Sequence, residues 1–290
     1  MMQRSFLALM FLLPPLALAG EEVDRSLPAM DDGVVKIINT RGEVKVEGWE
    51  KHEVSVEGEL DDLAEGLVFE SDSVGTTIEV KMPRKDVNWG DGSDLHIRIP
   101  HGSRLRFEGV SSDVAVRDVL GGSSIRTVSG DVKMQDVADQ LVVNTVSGDV
   151  EIDKATGPAR VSTISGEVEL DVASTEVDVD SVSGDVDLDL ETFDRLYGKT
   201  VSGEFKARGK LGGGGSIDVS SVSGDVELSL SRPVDARVRI RTGVGGDITN
   251  RQSDDEPRDV FPTQQVLEAN LGNGNGRITV STVNADVRLD

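Results

Sequence analysis

One tetrapeptide, Ser-Gly-Asp/Glu-Val, returns along this chain at an almost fixed interval. It reads Ser129-Gly130-Asp131-Val132, Ser147-Gly148-Asp149-Val150, Ser165-Gly166-Glu167-Val168 and Ser183-Gly184-Asp185-Val186, each copy 18 residues after the last. Ser202-Gly203-Glu204-Phe205 and Ser223-Gly224-Asp225-Val226 follow at steps of 19 and 21, and degenerate copies stand at 111–114, 245–248 and 284–287. A period of this size marks a quasi-one-dimensional architecture in which each unit packs mainly on its neighbours.

A single repeat shows what each unit is. Val150-Glu151-Ile152-Asp153 alternates apolar and polar residues, the pattern of a half-buried strand. Lys154 to Pro158 supplies turn chemistry, with Gly157 and a proline that fixes φ and donates no hydrogen bond. Ala159-Arg160-Val161-Ser162-Thr163 alternates again before Ile164-Ser165-Gly166 restarts the cycle. The apolar phase resets between Thr145 and Val150, so Val-Ser-Gly-Asp must bend, with glycine free to take backbone angles that a Cβ resists. Two short strands per 18 residues make one turn of a flattened coil. The expected fold is therefore all-β, a parallel β-helix or β-solenoid with about 18 residues per turn. Turns stack about 4.8 Å apart, so ten of them form a rod roughly 50 Å long. The end rungs of such a rod need capping against edge-to-edge association.

Outside the regular repeats the pattern loosens. Residues 33–102 read as irregular opening rungs or a β-rich N-terminal cap, 103–249 as the regular repeats, 250–266 as a loop insertion and 267–290 as the final rung. Together 33–290 form one expected solenoid domain, preceded by a flexible segment at 20–32. Residues 1–19 read as a cleaved signal peptide: Arg4 supplies the positive charge, 6–13 the apolar run and Ala17-Leu18-Ala19 the cleavage site. The run is too short, and too broken by Pro14 and Pro15, for a membrane span, and none is expected after cleavage. The chain has no cysteine, so the fold owes nothing to disulfides. With 53 Asp and Glu against 30 Lys and Arg, its net charge of −23 repels nucleic acid and anionic lipid.

The segment Leu95-His96-Ile97-Arg98-Ile99-Pro100-His101-Gly102, the Thr-Val-Ser-Gly-Asp-Val repeats and the ending Gly276-Arg277-Ile278-Thr279-Val280-Ser281-Thr282-Val283-Asn284-Ala285-Asp286-Val287 together carry a resemblance. The chain resembles a bacterial exported β-strand-repeat family of unknown function that bears the label "putative adhesin". That resemblance implies a β-helix-like fold and supplies no catalytic residues.

The acidic residue of each repeat is the first candidate site. Asp131, Asp149, Glu167, Asp185 and Asp225 are candidate ligands for weak calcium binding, since hard cations take carboxylate oxygens. The competing expectation is that each carboxylate accepts backbone N–H groups in its own bend, with no cofactor at all. The Ser column (Ser111, Ser129, Ser147, Ser165, Ser183, Ser202, Ser223) and the Thr column (Thr127, Thr145, Thr163, Thr200, Thr282) are expected to hydrogen-bond along the ladder and complete the bend. His96 and His101, with Asp91 and Asp94 nearby, match no zinc spacing, and no nucleophile–base set or phosphate-cradling loop can be read.

The function expected from the sequence is that of a non-enzymatic exported envelope protein, a rigid acidic rod in the periplasm or on the cell surface. Its partner would be an envelope component, a glycan or a protein. Two alternatives stand beside it. A carbohydrate-active enzyme on a β-helix would need paired carboxylates in a groove and aromatic platforms, and the chain has one tyrosine and two tryptophans. A filament protein would pair its end rungs, against the repulsion of its own charge.

Overall fold

The computed structural model describes residues 20–83, 90–260 and 263–290, and the signal segment read at 1–19 lies outside the described residues. Among them the chain forms 23 strands and no helix. The N-terminal strands are β1 (Glu22–Pro28), β2 (Val34–Trp49), β3 (Glu53–Glu59), β4 (Gly66–Ser71), β5 (Gly75–Lys81), β6 (Ser93–Pro100) and β7 (Arg104–Arg117). The repeats give β8 (Ser123–Arg126), β9 (Val132–Gln135), β10 (Leu141–Asn144), β11 (Val150–Thr156), β12 (Ala159–Ser165), β13 (Val168–Ala173), β14 (Glu176–Ser183), β15 (Val186–Thr200), β16 (Phe205–Ser221) and β17 (Val226–Leu230). The C-terminal set is β18 (Ala236–Thr242), β19 (Ile248–Asn250), β20 (Arg258–Val260), β21 (Gln264–Leu271), β22 (Gly276–Thr282) and β23 (Val287–Leu289).

These strands stack in two long ladders that meet at the Val-Ser-Gly-Asp corner. The ladder entering the corner runs β8, β10, β12, β14 and then the later halves of β15 and β16; the one leaving it runs β9, β11, β13 and their earlier halves. All these pairings are parallel, and their registers carry the sequence period directly. Leu141 lies beside Ala159 and Val150 beside Val168, while Val186 lies beside Phe205. The long strands β2, β7, β15 and β16 run through the corner or the opposite turn and belong to both ladders.

The alternation decides the core. Val132, Val150, Val168, Val186, Phe205 and Val226 point inward from the leaving ladder and are almost fully buried. They meet Leu141, Ala159, Val177, Leu196 and Ile217 from the entering ladder, also buried. One irregularity in this packing compensates another. Phe205 stands where its neighbours have valine, and Gly198, in the register place of Val161 and Val179, leaves the room: a Cβ there would lie 2.4 Å from the Phe205 ring.

The ends depart from a simple coil. β2, the first long strand, is not the end rung: it lies between β7 on one side and β5 and β6 on the other. The described residues of 50–103 fold over it, and β4, β3 and β1 finish that end in antiparallel pairings. The C-terminus mirrors this. β22 and β23 insert between β16–β17 and β18–β19, so the stretch expected as the final rung lies one rung inside the end. Two further expectations change. The segment expected to be flexible at 20–32 contains β1, paired over its whole length with β3. The stretch expected as a loop at 250–266 contains β20, paired antiparallel with β21. Both were hidden because antiparallel capping strands lack the repeat's register and its Ser-Gly-Asp signal.

A buried ion pair fastens the N-terminal excursion. The Asp61 side chain is almost completely buried and accepts from Arg41 Nε and, at 2.9 Å, from Arg41 Nη2. It also accepts from the backbone amides of Leu63 at 2.9 Å and Gly92 at 3.2 Å. The guanidinium, more than any other neighbour, holds the Asp61 carboxyl below its ordinary range.

Candidate binding face along the repeated corner

The corner is built from backbone first. Each Ser amide donates to the carbonyl of the residue before the previous turn's Ser: Ser147 to Val128 at 2.8 Å, Ser165 to Val146 at 2.9 Å, Ser202 to Val182 at 3.0 Å. The Gly amides donate the other way, Gly148 to Ser165 and Gly166 to Ser183. The bend is thus a continuation of the ladder rather than a loose turn. Gly148, Gly166, Gly184 and Gly203 are required twice over, by positive φ and by close approach. Gly166 has φ +139°, and a Cβ on it would stand 2.2 Å from the Gly148 carbonyl oxygen one turn away.

The five calcium candidates come together in one column, with Asp113, Glu204, Asp286 and Asp247 continuing it. Their carboxylates face the next turn. Asp131 Oδ1 accepts the amide of Asp149 at 3.0 Å, Asp149 Oδ1 that of Glu167 at 2.9 Å, Asp185 Oδ1 that of Glu204 at 2.8 Å and Asp225 Oδ1 that of Asp286 at 2.9 Å. The sequence placed these bonds inside each bend; the structure places them between turns, because the parallel register sets each carboxylate beside the amide one rung on. The glutamates interrupt the line. Glu204 instead pairs with Lys206 Nζ at 2.7 Å.

The hydroxyl columns divide. The Ser129, Ser147 and Ser165 side chains face solvent, and the bonding expected of them is carried by their backbone. The Thr column is buried under the corner and extends through Ser181, Ser221 and Thr242. The expected bend bond is made at the later rungs, where Thr200 donates to the Ser202 carbonyl, Ser221 to that of Gly224, Thr242 to that of Gly246 and Thr282 to that of Ala285. It is not made at Thr127, Thr145, Thr163 or Ser181, whose buried hydroxyls find no hydrogen-bond partner among the described residues.

Two members of the acidic column escaped the sequence reading. Glu43 lies beside Asp113 on one side and Asp94 on the other, within Arg41-Gly42-Glu43-Val44 and Gly92-Ser93-Asp94-Leu95. Both are worn copies of the repeat. The acidic residue just before an apolar one, in Glu43-Val44 and Asp94-Leu95, was the available signal, and the irregular spacing concealed it.

A third column at the corner is apolar. The residue before each Ser, or before Asn284 in the last copy, is Val110, Val128, Val146, Ile164, Val182, Val201, Val222 or Val283, and each is exposed, by 39% to 58%. Beside this ridge a groove of about 430 Å³ is lined by Asn144, Ser162, Asp180, Lys199, Ile164 and Val182, among others. Burial, and next the neighbouring Asp178, raise the Asp180 carboxyl above its ordinary range.

Elsewhere the chemistry is dispersed. His96 Nε2 meets Glu47 at 3.2 Å, His101 Nδ1 meets the Asp118 carbonyl at 2.8 Å and His52 pairs with Asp31. Among the described residues no group of three or more His, Cys, Asp or Glu is placed to hold a metal ion. Lys45, His96, Ala115, Arg117 and Lys133 line a second groove of about 430 Å³ on the leaving ladder. Its cations have partners: Lys45 pairs with Glu43 at 3.0 Å and Lys133 with Glu151 at 3.0 Å. Arg98 and Lys51 stack on the Trp49 ring.

The family described as Toastrack DUF4097 matches residues 34–290. No curated protein matches the chain. Among solved structures, a "putative adhesin" from Bacteroides fragilis is 12% identical with a TM-score of 0.45, covering 92% of this chain and 96% of its own. A "putative adhesin" from Parabacteroides merdae is 10% identical with a TM-score of 0.40, covering 93% and 97%. A "putative cell adhesion protein" from Clostridium sporogenes is 10% identical with a TM-score of 0.24, covering 92% and 98%. At these identities and scores, membership rests on the family match and not on the individual structures.

Proposed function

The chain belongs to the Toastrack DUF4097 family, and from that premise we propose that it is a non-enzymatic, exported binding rod of the cell envelope. The observation that carries this proposal is the repetition of the same side chains in columns along the corner. A row of equivalent positions offers many weak, additive contacts to an extended partner, as solenoid surfaces do. It does not converge a nucleophile, a base and an oxyanion donor on one reacting atom, as catalysis requires. The adhesin names of the similar structures agree with a binding role, and the partner class is an envelope protein or glycan. The net charge of −23 disfavours nucleic acid.

Export is part of the proposal, through cleavage before Gly20. Protease treatment of intact and osmotically shocked cells tests it. Digestion on intact cells makes the rod a surface adhesin. Protection until shock makes it a periplasmic scaffold. Protection until full lysis, with residues 1–19 still attached, would overturn export and with it the envelope role.

A further inference from the structure

Thirteen large apolar side chains of the described residues are substantially exposed, and eight of them form the single ridge from Val110 to Val283. At about 4.8 Å per rung the ridge runs roughly 34 Å. The backbone does not dictate valine there. Threonine is equally suited to an exposed strand position, and Thr40 holds the equivalent place in β2, between the Asn39–Gly109 and Arg41–Ser111 pairs. Contiguous exposed apolar surface of this extent is characteristic of interaction sites.

Three residues on from each ridge position stands the acidic column. Of its nine members from Asp113 to Asp247, only Glu204 has an ion-pair partner among the described residues. Ridge and column together present an apolar line beside a line of uncompensated negative charge. A second copy of this chain would bring two such acidic columns together. Nucleic acid and anionic bilayers are repelled by the same charge, and a glycan lacks a row of aliphatic side chains. The complementary surface is a polypeptide with aliphatic residues along one line and Lys or Arg along the next.

Spacing selects its conformation. An extended strand laid along the rod presents same-face residues about 6.7 Å apart, far from the rung repeat. An α-helix advances about 5.4 Å per turn, close to the rung spacing of about 4.8 Å, and places apolar and basic residues on adjacent stripes. We propose that the Val-Ser-Gly-Asp corner is the docking face for a basic amphipathic helix lying along the rod. This rests on the binding-rod proposal but is separable from it. Failure of export is read in cells, whereas failure of the corner is read on the purified chain.

The probe is a fluorescent 21-residue peptide of Leu and Lys at helical spacing. Its controls are the same composition in strictly alternating order and a helical version with Leu replaced by Ser. The purified chain is expected to bind the helical peptide at least tenfold tighter than either control. Val146→Thr/Ile164→Thr/Val182→Thr, which keeps β-branching, should weaken binding at least tenfold. Asp131→Asn/Asp149→Asn keeps the oxygen that accepts the next amide but removes charge, and should weaken binding and flatten its salt dependence. Because the chain has no cysteine, a dye on Ser147→Cys gives a second readout that needs no ridge variant. It should shift on peptide addition, while a dye on Ser124→Cys, on the entering ladder's outer face, should not. Binding by the triple-threonine variant within twofold of the parent would overturn the proposal, as would equal binding of the alternating peptide or equal shifts at both dyes. A concentration-dependent dimer that the threonine variant abolishes would also overturn it, making a second copy the occupant.

Discussion

At the scale of single residues, the repeat tolerates variation only where a neighbouring turn compensates. Phe205 and Gly198 are the clearest case, a large side chain facing a missing one. Phe205→Val should leave a cavity and Gly198→Val should overpack against the Phe205 ring, each costing about 1–3 kcal/mol. The double substitution restores valine in both columns and should cost clearly less than the sum, a coupling that urea denaturation of the four proteins will measure. Asp180 offers a test of the opposite sign. Its folded pKa is raised by burial and then by Asp178, so the penalty for ionising it is absent below the ordinary carboxylate range and present above the raised folded value. Asp180→Asn should therefore raise Tm by about 1–3 °C at pH 7 and leave it unchanged near pH 3. Equal effects at both pH values would point to packing instead.

Among the elements, the capping strands carry the fold's distinctive features. A parallel stack ends in unpaired edges, and here each end is closed by antiparallel strands that do not continue the coil: β1, β3 and β4 at one, β20 and β21 at the other. The N-terminal closure depends on Arg41 and Asp61, which join β2 to the excursion that covers it. Asp61→Asn removes one charge of a buried pair and should cost about 3–5 kcal/mol at pH 7. The sign follows from the depressed folded pKa. The Asp61 contribution is complete above the ordinary carboxylate range and is lost as pH falls through the lower folded value, so parent and variant should converge in acid. Denaturant midpoints across that range will show convergence, or its absence will show that Asp61 acts through shape alone. The sequence disclosed none of this pairing, because Arg41 and Asp61 are joined only when residues 50–103 fold back.

For the whole molecule, one term dominates: the net charge of −23, of which the acidic column is the most ordered part. Asp113, Asp131, Asp149, Asp185, Asp225 and Asp286 of that column each already spend one oxygen on the amide one turn away. Calcium and magnesium should therefore raise Tm by similar amounts at equal ionic strength, through screening of like charges about 4.8 Å apart. A shift of several degrees specific to calcium would instead show that carboxylates on adjacent rungs, such as Asp131 with Asp149 or Asp225 with Asp286, chelate the ion. Either result is obtained from one pair of thermal scans.

The sequence by itself determined the rung. Alternation fixed which side chains face the core, Gly fixed where two stacked backbones approach too closely for a Cβ, and the 18-residue period fixed the parallel register, because all three are local or strictly periodic properties. Its period also places Asp131, Asp149, Glu167, Asp185 and Asp225 in one column. Only the tertiary structure decided how the rod ends: that β2 and β22–β23 lie one rung inside, that the stretches at 20–32 and 250–266 supply capping strands, and that Glu43 and Asp94 extend the acidic column. It alone decided which valines of the repeat are exposed as well. A corner's inner and outer sides depend on the direction in which the backbone turns, and alternation is silent where the phase resets.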